Sequence, residues 1–305
     1  MSKKAQLVVE DRTLEVSNLD KVLYPKDGFT KGELINYYIQ IAPVLLPHLK
    51  DRPLTMKRYP DGVEGEFFYE KNCPSHRPKW VQTARVWSES NERNIDFCLA
   101  QDLPTLVWAA NLADIELHTS LSRKKALARP TMMVFDLDPG APADIMQCCQ
   151  VGLWLREILQ GMKLESWAKT SGSKGLQVYV PLNTAVSYEQ TKELSHAIAE
   201  HLEREHPDLV VSRMSKALRP GKIFVDWSQN DEHKTTICVY SLRARDKPTA
   251  STPVSWKEVE ECARTKKAKL LVFRCDETVA RAGKMGDLFA SVETLKQKLP
   301  KKWPW

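Results

Sequence analysis

No stretch of the 305-residue chain approaches the roughly 18 consecutive apolar residues that cross a bilayer. The opening MSKKAQLVVEDR also lacks the long apolar core of a secretory leader. Membrane insertion and export are thereby disfavoured, and a cytoplasmic protein is expected. Cysteine is sparse and irregular: Cys73, Cys98, Cys148, Cys149, Cys238, Cys262 and Cys275 are odd in number, include an adjacent pair, and form no CxxC or Cys/His ligand spacing. Neither a disulfide framework nor a zinc site is expected, and the thiols should be reduced and mostly buried. Internal repeats and low-complexity linkers are missing as well, so one domain over residues 1–300 with a short tail at 301–305 is the expected organisation.

What is present is an apolar fraction of 42%, enough for a large core, and a net charge of +6. That charge is compatible with a polyanionic partner without requiring one. It is locally concentrated: no acidic residue occurs from Leu209 to Val225, while Arg213, Lys216, Arg219 and Lys222 recur at every third position. Such a run serves either as a solvated face or as a phosphate-binding surface.

The order of elements is α/β. Thr30 and Glu33 have capping-box spacing ahead of Leu34, Tyr37, Tyr38 and Ile41, predicting a helix that Pro47 should end. Asp102 and Pro104 open a second predicted helix, continued by Ala109, Leu112, Ala113 and Glu116 at helical spacing. MMVFDLDP then reads as a strand, IMQCCQVGLWLREILQG as a helix closed by Gly161, and LQVYVPL as a strand. A Ser187/Gln190 capping box starts a helix that stops before Pro207. KIFVDW and TTICVYSL read as strands, SWKEVEEC as a helix, and 284–298 as a last helical segment.

Candidate chemistry sits on the strands. In a strand, residues i and i+2 share a face, so Asp136 and Asp138 point one way while Phe135 and Leu137 point the other. Carboxylates about 7 Å apart by strand geometry can share hard divalent cations; solvated acids at a strand end, or acids paired with Lys and Arg, are the alternative. Asp226 adds a third carboxylate within apolar KIFVDW, where a charge needs a cation or an ion-pair partner. Three such acids have the composition of a magnesium or manganese site for two-metal phosphoryl transfer. Between two strands lies TSGSKG, residues 170–175, whose glycines, Ser171, Ser173 and Lys174 can cradle phosphates, though the same residues also make an ordinary hairpin turn. It is not a Walker loop, because the spacing differs and no helix follows.

In this order and at these spacings, FDLDPG, TSGSKGLQVYVPL and RPGKIFVDWSQN closely resemble the polymerase domain of bacterial ligase D and its stand-alone relatives, within the archaeo-eukaryotic primase superfamily. LDKVLYP, TKGELINYY, FFYEKN and LHTS fit too, and the likeness runs from about Asn18 to Leu242. It implies a primase-polymerase fold, with two mainly antiparallel sheets flanked by helices around a central catalytic cleft. The implied activity is filling or extending broken DNA ends in non-homologous end joining, with ribonucleotides and often manganese preferred over deoxyribonucleotides and magnesium. Residue by residue, Asp136 and Asp138 match acids that bind two metal ions, and Asp226 matches the acid at the primer 3′-hydroxyl. Ser171 and Lys174 fall on the triphosphate loop, Arg219 on a phosphate contact and His118 on a nucleotide-pocket histidine. Asn18, Lys21 and Lys31 match a pocket for the downstream 5′-phosphate, while Phe67 and Phe68 match aromatics that stack on the template. Implied partners are gapped, overhanging or broken 5′-phosphorylated DNA, the end-binding Ku protein and a DNA ligase.

One position departs from the pattern: Gln177 stands where the family usually has His, so it can donate a hydrogen bond to phosphate but cannot carry an imidazolium charge. Region 83–97 corresponds to a variable family loop that brings ends together. The chain carries no ligase motif, as expected of a stand-alone polymerase or an excised domain. Two alternatives use the same residues: a weakly catalytic or non-catalytic DNA-end bridging module, for which Gln177 is the hint, and a metal-dependent phosphoesterase.

Overall fold

The computed structural model describes residues 4–88 and 92–303. Residues 89–91 of the expected end-joining loop and the last two residues of the expected tail lie outside the described residues. The chain resolves into two compact units, each assembled from three separated stretches. The first comprises Met1–Lys125, Thr235–Ser251 and Phe273–Asp287; the second comprises Ala126–Lys234, Thr252–Val272 and Leu288–Trp305.

In the first unit, antiparallel strands run in the order Thr236–Ile237, Asp114–Thr119, Leu54–Arg58, Arg93–Cys98 and Thr83–Ser88, and Phe68–Glu70 also pairs with Leu54–Arg58. Helices Lys31–Leu49, Leu103–Asn111 and Cys275–Met285 accompany them. The Thr30/Glu33 capping box forms as expected, but the helix continues through Pro43 and Pro47 to Leu49. Its two prolines are four residues apart, so the donor missing at Pro47 is the one that would have served the Pro43 carbonyl. A buried face including Leu34, Tyr38, Ile41 and Leu45 holds the helix despite that loss.

The second predicted helix is also corrected. It ends at Asn111, Ala113 adopts φ +58°, and Asp114–Thr119 is a strand paired with Leu54–Arg58. A short apolar run does not distinguish the two periods, and tertiary pairing decides. TTICVYSL keeps only Thr236–Ile237 of its predicted strand before Leu242–Arg243 begins another, with Tyr240 at φ +64° between them. Instead of a helix over 284–298, a helix spans Cys275–Met285, Gly286 turns at φ +70°, and a single 3-10 turn covers Ala290–Glu293. Segment 83–97 is largely an antiparallel hairpin.

Cysteine is the remaining correction. Cys73 and Cys98 form a disulfide across 25 residues, whereas Cys148, Cys149, Cys238, Cys262 and Cys275 are free and buried. The pairing arises because the Cys73 N–H donates to the Asp96 carbonyl at 2.7 Å, laying this segment along the Arg93–Cys98 strand. No local spacing announces such a contact.

The second unit contains a six-stranded sheet in the order Val210–Val211, Ile223–Asp226, Met132–Pro139, Leu176–Pro181, Trp167–Thr170 and Pro253–Val254. Its pairings are antiparallel except the first, which is parallel. Helices Ile145–Gly161 and Tyr188–Glu205 pack on the Met132–Pro139 strand, and Trp256–Thr265 packs on Ile145–Gly161. The strand buries Met133, Val134, Phe135 and Leu137, while Asp136 is half-buried and Asp138 exposed, the alternation expected.

Two glycines draw other segments onto the end of this strand. A Cβ on Gly140 would lie 1.9 Å from the Arg219 carbonyl oxygen, and one on Gly175 would lie 2.3 Å from that of Leu137. FDLDPG, TSGSKG and the basic stretch therefore meet at one place through backbone approaches that only glycine permits. Gly140→Ala and Gly175→Ala should each lose about 1–3 kcal/mol in denaturant unfolding. Gly161→Ala, which meets nothing within 4 Å, should be neutral or slightly stabilising. Protein purified without reductant and then denatured should show the five free thiols, rising to all seven after reduction; seven at the outset would exclude the Cys73–Cys98 bond.

Candidate functional site

Strand register builds a row across four neighbouring strands of the second unit. Asp226 lies opposite Asp136, Asp136 opposite Gln177, and Gln177 opposite Lys169. Residues paired in register share a face, so two carboxylates, an amide and an ammonium stand side by side. Lys169 is fully buried and donates from Nζ to Gln177 Oε1 at 2.5 Å, with the Tyr179 ring 5.3 Å away. Gln177, only 1% exposed, also hydrogen-bonds Asp136.

The Asp136 carboxyl is pushed up to about 7, first by burial and then by the Asp138 charge, with Asp226 adding to the effect. Gln177 and Lys169 oppose the rise. Asp136 Oδ1 is buried without a hydrogen-bond partner among the described residues. A carboxylate crowded by others, with one oxygen lacking a donor, suits a hard cation, which would supply the missing partner and favour the ionised form.

Asp226 is differently engaged. Its Oδ1 accepts from the Ser228 N–H at 2.9 Å and the Ser228 hydroxyl at 2.5 Å, and its Oδ2 accepts from Gln229 Nε2 at 3.0 Å. Among the described residues, no three acidic, imidazole or thiol side chains are already gathered into a metal cage. The fit is therefore good for Asp136 with Asp138, and Asp226 can add Oδ2, which keeps accepting capacity beside its single Gln229 bond.

TSGSKG is shaped by Ser171, whose Oγ accepts the N–H groups of Ser173 at 3.2 Å and Gly175 at 3.0 Å, while its own N–H donates to the Gly175 carbonyl at 2.9 Å. Gly172 adopts φ +69°, and Lys174 is exposed at the tip. Arg219 stacks its guanidinium 3.8 Å from the Phe224 ring centroid and donates to the Met214 carbonyl at 2.8 Å, leaving its buried Nε without a partner among the described residues.

The other six predicted residues belong to the first unit. Lys31 opens its helix with only 6% exposure, Nζ reaching Ser17 Oγ at 3.4 Å. Backbone bonds from the Lys21 N–H to Asn18 and from the Lys31 N–H to Lys21 gather the three residues. The Lys31 ammonium is pushed down to about 8 by burial, then by Lys21 and Arg58, while Lys21 bonds Asp61 at 2.7 Å. Phe67 and Phe68 are 50% and 44% exposed, so both face outward. Lys57 Nζ sits 4.3 Å from the Phe67 ring centroid, and the Arg58 guanidinium 5.0 Å from that of Phe68. His118, on the strand mistaken for helix, bonds Glu116 at 3.0 Å, and burial lowers its pKa.

Lys169 escaped the sequence reading although its signal matches that of Asp226: a charge inside an apolar strand, here WAKT. Glu116 was hidden by the wrong period, and Lys57 and Arg243 had no local pattern to mark them.

Comparison with known proteins identifies the family. Residues 30–289 match the family model described as LigD, primase-polymerase domain. The chain is 39% identical over 282 residues to the multifunctional non-homologous end joining protein LigD of Mycolicibacterium smegmatis, covering 92% of this chain and 36% of that protein. It is 33% identical over 274 residues to the bifunctional protein LigD of Bacillus subtilis, covering 90% and 43% respectively. The chain thus spans well under half the length of these relatives. The polymerase domain of Mycobacterium tuberculosis ligase D, solved in complex with DNA, superposes with a TM-score of 0.86 at 36% identity, covering 94% of this chain and all of that one. With its fold and motifs shared over nearly its whole length, the chain belongs to the LigD primase-polymerase domain family.

Proposed function

We propose that this chain is a template-directed nucleotidyltransferase that extends or gap-fills DNA ends in non-homologous end joining, preferring ribonucleoside triphosphates. The observation that carries the reading is the meeting of Asp136 and Asp138 with the TSGSKG loop and Arg219 at one strand end, through Gly175 and Gly140. Carboxylates for cations and donors for phosphate are the complementary halves of a metal–triphosphate site.

Asp136 and Asp138 would hold Mn2+ or Mg2+, joined by Asp226 through the Oδ2 that accepts only the Gln229 bond among the described residues. Such ions, when bound, activate the attacking 3′-oxygen and neutralise the triphosphate. Gln177 and Lys169 hold Asp136 from the opposite side of the row. Lys174, the loop backbone and Arg219 take the phosphates, and His118 contacts the nucleotide. The primer 3′-oxygen attacks the α-phosphate and pyrophosphate leaves. Phe67 and Phe68 offer exposed rings for template stacking, and Asn18, Lys21 and Lys31 offer a phosphate seat at a helix start. The solved relative is in complex with DNA, the partner proposed here, and Ku and a ligase are the corresponding protein partners.

The reading is tested by primer extension on 5′-phosphorylated gapped DNA, comparing ribo- and deoxyribonucleotides with manganese and with magnesium. Asp138→Ala should lose incorporation while keeping gap binding; an equally active variant would refute the site. Salt-dependent end binding with no incorporation by the wild type would instead indicate a bridging module, and product release without chain growth a phosphoesterase.

The phosphate seat has a pH signature. Bound phosphate favours charged Lys31, raising its pKa from about 8. The affinity gained from a 5′-phosphate should thus be full below that value and decline as the pH climbs towards about 10, the ordinary lysine range. Removing the phosphate should hardly affect binding by the Lys21→Ala/Lys31→Ala variant; an undiminished phosphate effect there would exclude these lysines.

A further inference from the structure

Within the first unit, Glu116 is 2% exposed and reaches four groups at once. Its Oε1 accepts from Arg243 Nε at 3.2 Å and from the Ala244 N–H at 3.0 Å. Its Oε2 lies 3.0 Å from His118 Nε2 and 3.5 Å from Lys57 Nζ. Burial alone would raise its pKa, yet His118, Arg243 and Lys57 hold it well below the usual carboxylate range, so it stays ionised. Lys57 and Glu116 are cross-strand partners in register, which fixes the ammonium from below while its other side meets the exposed Phe67 ring at 4.3 Å. Tyr69 closes the group, 6.0 Å from Phe67 and 5.8 Å from His118, edge-on to both.

A carboxylate so enclosed cannot itself be a ligand for nucleotide or template. It can decide where its partners stand, because Arg243 and the Ala244 N–H hold one oxygen while His118 and Lys57 share the other. We propose that Glu116 is a positioning residue that couples the nucleotide-contacting His118 to the template-stacking Phe67, through its bond to the imidazole on one side and its ion pair with Lys57 on the other. The proposal rests on the polymerase reading given above. Arg243 and the Ala244 N–H fix the carboxylate plane, so both arms share one orientation. Loss of the charge would release His118 and Lys57 together, weakening nucleotide binding and disturbing the template shelf in the same variant.

The test is Glu116→Gln, which keeps the shape and removes the charge, read in two ways. Steady-state incorporation should show KM for the nucleoside triphosphate raised about tenfold, the scale of one charge-assisted hydrogen bond, with kcat changed much less. Separately, with no nucleotide or metal added, a template carrying 2-aminopurine at the stacking position should show altered fluorescence on binding the variant, approaching the signal given by Phe67→Ala. In the Phe67→Ala background, Glu116→Gln should leave the fluorescence unchanged while still raising KM. If circular dichroism shows Glu116→Gln to be unfolded, Glu116→Asp, which keeps the charge but withdraws it by one methylene, is judged by the same two readouts. Unchanged KM, a loss confined to kcat, or an unaltered fluorescence signal would each overturn the coupling. Absence of incorporation by the wild type would refute the polymerase reading itself, an outcome distinct from a fully active wild type and an indistinguishable Glu116 variant.

Discussion

Like charges cannot be crowded onto adjoining strands without a compensating arrangement, and that constraint organises the second unit. Asp136 stands beside Asp226 across the sheet and near Asp138 along its own strand, and burial first, then these neighbouring charges, raise its carboxyl to about 7. The protein compensates on one side only, where Gln177 and the buried Lys169 lean on Asp136. The opposite acid, Asp226, is quieted by its own turn, through Ser228 and Gln229. Charge left over at Asp136 and Asp138 accumulates at the strand end where Gly140 and Gly175 bring in the basic and hydroxyl-bearing segments. Electrostatic strain and backbone proximity thus have the same address.

The first unit solves the inverse problem. A single buried carboxylate, Glu116, serves His118, Arg243 and Lys57, and the surplus of positive charge lies beneath exposed aromatic rings. Cations against ring faces keep their attraction while presenting a flat apolar surface outward. At the helix start, burial first, then Lys21 and Arg58, depress Lys31, although those two cations are themselves paired with Asp61 and Glu70. One unit crowds acids at a strand end, and the other gathers cations around a single buried acid.

Much of this was legible in the sequence where the physics is local. The strand alternation around Asp136 and Asp138, the capping boxes at Thr30 and Ser187, and the glycines of FDLDPG and TSGSKG are all encoded within a few residues. What escaped was set by partners distant in the chain. Asp114–Thr119 became a strand because Leu54–Arg58 pairs with it, and that reassignment concealed Glu116. Cys73 met Cys98 through the backbone bond to Asp96. Pro47 failed to stop its helix because an apolar face outweighed the lost bond. Gln177 read as a phosphate donor with diminished charge, whereas register gives it a second partner, Lys169, that no linear motif reveals.

The interleaving of the two units has a consequence for synthesis. Each draws strands or helices from beyond residue 234: Thr236–Ile237 and Cys275–Met285 complete the first, and Pro253–Val254 and Trp256–Thr265 complete the second. Neither can therefore finish before the segments beyond residue 234 have left the ribosome, so N-terminal-first maturation does not separate these two units. Both cores wait for the same late segments, so the acids of one and the aromatic shelf of the other come to completion almost together.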